Sequence, residues 1–146
     1  MSDAPAKPAE PLRFAMPGVL EEVPKARHKV ATWLSKAGAP KRVANEIGLA
    51  LTEVCNNAIE HGTATKTRPM HLTAAIEGGI VAIEFLGDHG GSAQRLDESF
   101  TWAALPDSGH DRGRGLYLIR AYVDELIVDS TRDGRLRIRL LKRLPK

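Results

Sequence analysis

The sequence predicts an α+β two-layer sandwich, a mainly antiparallel mixed sheet with helices on one face. Three observations lead there. Apolar residues recur at helical spacing in two consecutive early stretches. Two pairs of strand-like runs follow, each joined by a glycine-bearing tight turn. Between those pairs lies a long segment with several glycines and little apolar periodicity, of the kind that carries function.

Residues 1–11 are rich in Pro, Ala and Lys and read as a loose, disordered tail, leaving 12–146 as one domain. Leu12 to Met16 alternates apolar and polar residues, and Pro17-Gly18 stops it, which predicts a short edge strand and a turn. From Val19 to Ala37, Leu20, Val23, Val30, Trp33 and Leu34 fall at helical spacing, with Gly38 as the stop. Pro40 is expected in the first turn of a second helix running from Lys41 to His61 and ended by Gly62. Met70 to Ile76 and Ile80 to Leu86 form a predicted hairpin around Glu77-Gly78-Gly79. Residues 87–115 read as the long loop and Leu116 to Val123 as a helix. Glu125 to Ser130 and Arg135 to Leu141 then close the chain as a second hairpin, turning at Asp133-Gly134.

The composition narrows the function. Hydrophobic residues make up 42% of 146, enough for a folded globule. The one cysteine, Cys55, excludes an internal disulfide framework and fits a reducing compartment. No basic-then-apolar leader and no bilayer-length apolar run is present, so a cytoplasmic protein with no membrane partner is expected. The net charge is +3, and basic residues crowd the last third: Arg112, Arg114, Arg120, Arg132, Arg135, Arg137, Arg139, Lys142 and Arg143. Such a stretch suits phosphate or an acidic partner, or is a solvated strand face. No aromatics interleave with the basic residues of the final strand, so direct nucleic-acid binding is not expected.

The most informative stretch is Leu49 to Gly62, LALTEVCNNAIEHG. At roughly 3.6 residues per turn, Val43, Ile47, Ala50, Leu51, Val54 and Ala58 form one apolar stripe. Glu53 and Asn57 are four residues apart and lie one above the other at the edge of that stripe, where polar groups can face a cleft. Magnesium takes hard oxygen ligands, often one or two from protein together with substrate phosphates, and the Asn57 carbonyl is such a ligand. Glu53, one turn earlier, can accept a proton from an attacking hydroxyl, a role worth about 10² to 10⁴ in rate.

Two glycine segments follow. Asp88-His89-Gly90-Gly91 comes directly after the strand Ile80 to Leu86. A carboxylate at a strand end can accept hydrogen bonds from the adenine amine, and a neighbouring glycine admits the base to the backbone. Further on, Arg112-Gly113-Arg114-Gly115 leads straight into the apolar pattern from Leu116. A helix start offers unpaired N–H groups and partial positive charge to phosphates, and the arginines add charge-assisted hydrogen bonds.

Glu53, Asn57-Ala58 and Glu60-His61 resemble the N box of the anti-sigma-factor serine kinases, members of the ATPase superfamily shared with gyrase, heat-shock chaperones, mismatch-repair proteins and histidine kinases. Asp88-x-Gly90 resembles the family's first glycine box, with Ser92 where a second glycine is usual, and GRGLYLIRAYVDEL resembles the second. The three boxes stand in the family's order, and the likeness covers nearly the whole chain after residue 11. The resemblance implies a Bergerat ATP-binding fold with ATP and Mg²⁺ as cofactors. It implies Asn57 as magnesium ligand and Glu53 as general base. Asp88, Gly90, Arg112, Gly113, Arg114, Gly115 and Leu116 would bind the nucleotide, and residues 91–112 would form a lid. It further implies a homodimer that phosphorylates an anti-anti-sigma protein on serine or threonine and sequesters a sigma factor. The alternative is a non-catalytic nucleotide-binding partner switch, which Ser92 motivates.

Overall fold

The computed structural model describes residues 10–87 and 119–145. Its elements are β1 (Leu12–Met16), α1 (Val23–Lys36), α2 (Lys41–Glu60), β2 (Met70–Glu77), β3 (Ile80–Leu86), β4 (Glu125–Ser130) and β5 (Leu136–Arg143). The five strands form one sheet in the order β1-β2-β3-β5-β4. All four pairings among the described residues are antiparallel, so the mixed component expected from sequence has no counterpart there.

The α-helical expectation from Val19 is met later. Leu20–Glu22 form a 3₁₀ turn and α1 begins at Val23. Pro24 explains the delay, because it has no N–H to give the Leu20 carbonyl, which instead accepts from Val23 in the tighter pattern. Pro40 is the N-cap of α2 rather than a first-turn residue. Its extended ψ of 148° precedes the helix, and its carbonyl accepts the Ala44 N–H at 3.1 Å. His61 likewise caps α2 instead of belonging to it.

Both helices end in the same device. Gly38 (φ 88°) and Gly62 (φ 73°) adopt the left-handed conformation that glycine takes without steric cost. After α1, Gly38 N–H donates to the Ser35 carbonyl and Ala39 N–H to the Leu34 carbonyl, each at 3.0 Å. After α2, Gly62 N–H donates to Ile59 at 3.1 Å and Thr63 N–H to Ala58 at 2.8 Å. These paired bonds are Schellman motifs, which satisfy carbonyls that a helix end leaves open. The β2–β3 hairpin turns on Gly78 (φ 57°) and Gly79 (φ 76°), the two left-handed residues of a type I′ turn.

Alternation along the strands defines two faces. Met70, Leu72 and Ala74, then Val81, Ile83 and Phe85, then Leu136, Ile138 and Leu140 are buried. They join Val23, Ala26, Val30 and Leu34 of α1 and the α2 stripe in one core. All six stripe positions expected from sequence, Val43, Ile47, Ala50, Leu51, Val54 and Ala58, are buried. The opposite face carries cross-strand rows such as Thr73–Glu84–Arg139–Ile127. There Arg137 holds both oxygens of Asp129 at 2.8 Å and Arg139 reaches Asp129 at 3.2 Å. The basic strand face expected from sequence is therefore half-buried and partly paired. The guanidiniums draw the Asp129 carboxyl below its ordinary range, the Arg137 hydrogen bonds contributing most.

The left-handed stop at Gly38 yields a stability prediction. Nothing lies within 4 Å of a Cβ built there, so Gly38→Ala pays only the left-handed backbone penalty. That penalty is about 1–2 kcal/mol. Urea unfolding should show a lower midpoint at unchanged slope. A midpoint equal to wild type would contradict the assigned cap.

Candidate functional site

The site is built at the end of the sheet where α2 finishes. Residues 61–69 connect α2 to Met70, the first residue of β2. Next to Met70, His71 pairs with Leu86, the last residue of β3. The C-terminal turn of α2 and the exit of β3 therefore lie toward the same end of the sandwich. The first glycine segment starts one residue beyond the described part of that exit, at Asp88.

Glu53 and Asn57 are brought together as expected. Both lie on α2, one turn apart, with Cβ atoms about 5–6 Å from each other by helix geometry. Asn57 is buried, with 4% of its surface exposed. Its Nδ2 is buried without a hydrogen-bond partner among the described residues. Leaving such a group unsatisfied costs about 1–3 kcal/mol. The two amide heavy atoms exchange places by a half-turn of the side chain, so the unsatisfied position suits either Nδ2 or the acceptor Oδ1. An acceptor held there has no donor to answer it among the described residues, and a hard cation is such an answer. The residue present therefore fits a magnesium ion carried by phosphates.

Glu53 is half-buried. Its proton affinity is raised, first because burial disfavours the carboxylate and second because Glu60, about two helical turns further on, repels it. Both effects make Glu53 a better proton acceptor at neutral pH than an exposed glutamate. Cys55, beside it in sequence, is core: it is fully buried and its thiol is pushed up to about 12 by burial. That fits its reading as packing rather than chemistry.

Asp88, Gly90, Arg112, Gly113, Arg114, Gly115 and Leu116 lie outside the described residues, as does the lid segment 91–112. Their flanks are described. Gly87 is buried and its backbone is held on both sides: its N–H donates to the Leu136 carbonyl at 2.9 Å, and its carbonyl accepts from Arg135 Nε at 2.7 Å. Arg135 thus fixes the exit of β3. In the sequence Arg135 is one of a basic stretch at the start of a strand, with no sign of this role, because its partner lies 48 residues away. On the other flank Ile119 is fully buried, and residues 119–122 are helical as expected.

A separate cavity of about 280 Å³ is lined by Arg42, Val43, Asp124, Lys142 and Arg143. It lies at the opposite end of α2, roughly 22 Å from Asn57 at about 1.5 Å per residue. It takes no part in the candidate site.

Comparison with known proteins fits this geometry. Residues 16–142 match the histidine kinase-like ATPase domain, and the chain belongs to that family. It is an ATP-binding domain. Among solved structures, the chain is similar to the RsbU and RsbW domains of Rv1364c from Mycobacterium tuberculosis, with 24% identity and a TM-score of 0.66. That match covers 94% of this chain and 33% of the other, so the present chain spans about a third of that protein's length. It is also similar to the SiaB–SiaC complex from Pseudomonas aeruginosa, with 17% identity, a TM-score of 0.56, and coverage of 90% and 88%. Both likenesses are of fold. No helix among the described residues is long and apolar enough to cross a membrane.

The raised proton affinity of Glu53 carries a pH signature. A carboxyl whose folded pKa exceeds its unfolded one favours the fold while protonated and loses that benefit as pH rises through the folded value. Glu53→Gln should therefore melt above wild type at pH 8. The gap should close as pH falls below the ordinary glutamate value of 4.5. A difference in Tm that is the same at all pH values would contradict this environment for Glu53.

Proposed function

We propose that this chain is an ATP-dependent protein serine/threonine kinase acting as an anti-sigma factor, which phosphorylates an anti-anti-sigma protein and sequesters a sigma factor, as a homodimer. The observation that carries the proposal is the pairing, inside an ATP-binding domain, of a half-buried acid of raised basicity with a buried carboxamide one turn away. The order of the three sequence boxes and the fold likeness to a protein containing an RsbW domain support the partner-switching branch of the family.

In this reading Glu53 takes the proton of the substrate hydroxyl as its oxygen bonds to the γ-phosphorus and the bond to ADP breaks. Asn57 contributes its side-chain oxygen to the metal site. Magnesium, when bound, supplies neutralisation of the triphosphate charge. Asp88 and Gly90 receive adenine. Gly113, Gly115 and Leu116 present a helix start to the phosphates, with Arg112 and Arg114 beside them. Arg135, by holding the Gly87 carbonyl, sets the direction in which the chain leaves β3 toward Asp88.

Ser92, standing where the first box usually has its second glycine, favours a second reading: a non-catalytic switch that binds nucleotide and acts by sequestration alone. Radiolabelled ATP offered with a cognate anti-anti-sigma protein separates the two. The kinase transfers label, and Glu53→Ala lowers transfer by about 10² to 10⁴ while retaining ATP. No transfer by wild type with ATP binding intact contradicts the kinase and leaves the switch. Titration with a non-hydrolysable ATP analogue tests Asn57: affinity should rise with Mg²⁺ in wild type and lose that dependence in Asn57→Ala. Equal magnesium dependence in both would remove Asn57 as a ligand.

A further inference from the structure

Gly18 lies outside every sequence box, yet the fold places it against the end of α2. Its N–H donates to the Thr65 carbonyl at 2.8 Å. A Cβ at Gly18 would stand 2.2 Å from the Ala64 carbonyl carbon, 2.2 Å from Thr65 N and 2.4 Å from the Ala64 oxygen. All three are backbone atoms, so no side-chain rotation relieves the contact. Gly18 is not among the glycines with left-handed backbone. Glycine is needed here for close approach rather than for conformational freedom.

What Gly18 touches leads directly to Asn57. Ala64 is buried at 1% exposure, and its N–H joins that of Thr63 in donating to the Ala58 carbonyl, at 3.1 and 2.8 Å. His61 N–H donates to the Asn57 carbonyl itself at 2.9 Å. The segment 62–65 is thus held between the last turn of α2 on one side and the β1–α1 turn on the other. Among the described residues the Asn57 amide has no partner on Nδ2 to orient it, so within them its direction follows the helix turn that carries it. Whatever shifts that turn shifts the side chain.

We infer that Gly18 is a positioning residue for the Asn57 end of the site: the β1–α1 turn locks the Schellman cap of α2, and the lock aims the carboxamide. The inference rests on the reading of Asn57 as the metal-facing residue. Displacing segment 62–65 should disturb metal-linked binding selectively, because the adenine end of the site is held by a different set of contacts, those of Gly87 with Arg135 and Leu136.

The test compares wild type, Gly18→Ala, Ala64→Gly and Gly38→Ala. Affinity for a non-hydrolysable ATP analogue is measured by titration with Mg²⁺ and with chelator, alongside Tm. Ala64→Gly loosens the same segment without a clash and keeps the test open should Gly18→Ala not fold. Gly38→Ala weakens the other helix cap and serves as a control for lost stability alone. The magnesium-dependent gain in affinity should fall about tenfold or more in Gly18→Ala, equivalent to about 1.4 kcal/mol. It should fall by less in Ala64→Gly. Metal-free affinity should stay near wild type in both, and Gly38→Ala should keep the full gain despite a lower Tm. A wild-type magnesium gain in Gly18→Ala, or in Ala64→Gly if that alone folds, overturns the inference. A loss of equal size in Gly38→Ala overturns it too, by tracing the effect to stability. Absence of any magnesium gain in wild type would instead refute the site reading, and this inference with it.

Discussion

The last turn of α2 is the constraint on which the rest of the molecule depends. One stripe of that helix, from Val43 to Ala58, is pressed into the core and cannot rotate without exposing it. Its C-terminus is fixed by the left-handed Gly62 and two capping bonds. With rotation and end point both set, Glu53 and Asn57 have little choice of direction. They sit on the half of α2 that runs toward the end of the sandwich where β3 gives out and Asp88 follows in sequence.

The same turn is where the fold accepts unfavourable chemistry. A buried amide with an unanswered atom, and one turn before it a half-buried glutamate within the repulsive field of Glu60, each cost stability. A ligand bringing a cation and a hydroxyl would relieve both. Elsewhere the charges are arranged for structure: Asp129 is gripped by Arg137 and Arg139 on the sheet's open face, and Lys142 donates to the Tyr122 carbonyl at 2.6 Å. Two such costs on adjacent turns of one helix are the pattern expected at a functional centre.

Much of this was legible in the sequence because it is written locally. Helical spacing from Val43 to Ala58 marks the core stripe, and Glu53 and Asn57 follow from their offset within it. Gly78-Gly79 declares its hairpin because two adjacent left-handed residues are needed there. The misplacements are of a few residues: Pro24 deferred the start of α1, and Pro40, whose ring fixes φ but leaves ψ open, takes an extended ψ and so becomes the cap. Long-range contacts left no sequence signal. Pro17-Gly18 reads as an ordinary turn, and nothing in it tells of the Ala64 backbone 46 positions away. Arg135 looks like any strand arginine until its partner at Gly87 is known.

In the proposed function a nucleotide-borne metal sits at the last turn of α2. Replacing Mg²⁺ by paramagnetic Mn²⁺ tests it most directly, since signal broadening in an NMR spectrum falls steeply with distance from the ion. With a non-hydrolysable ATP analogue present, backbone amides of residues 55–61 should broaden at the lowest Mn²⁺ concentrations, and without nucleotide they should not. Broadening centred instead on the Arg42 end of the helix, or on the open face of the sheet around Asp129, would contradict the placement of the metal and the chemistry built upon it.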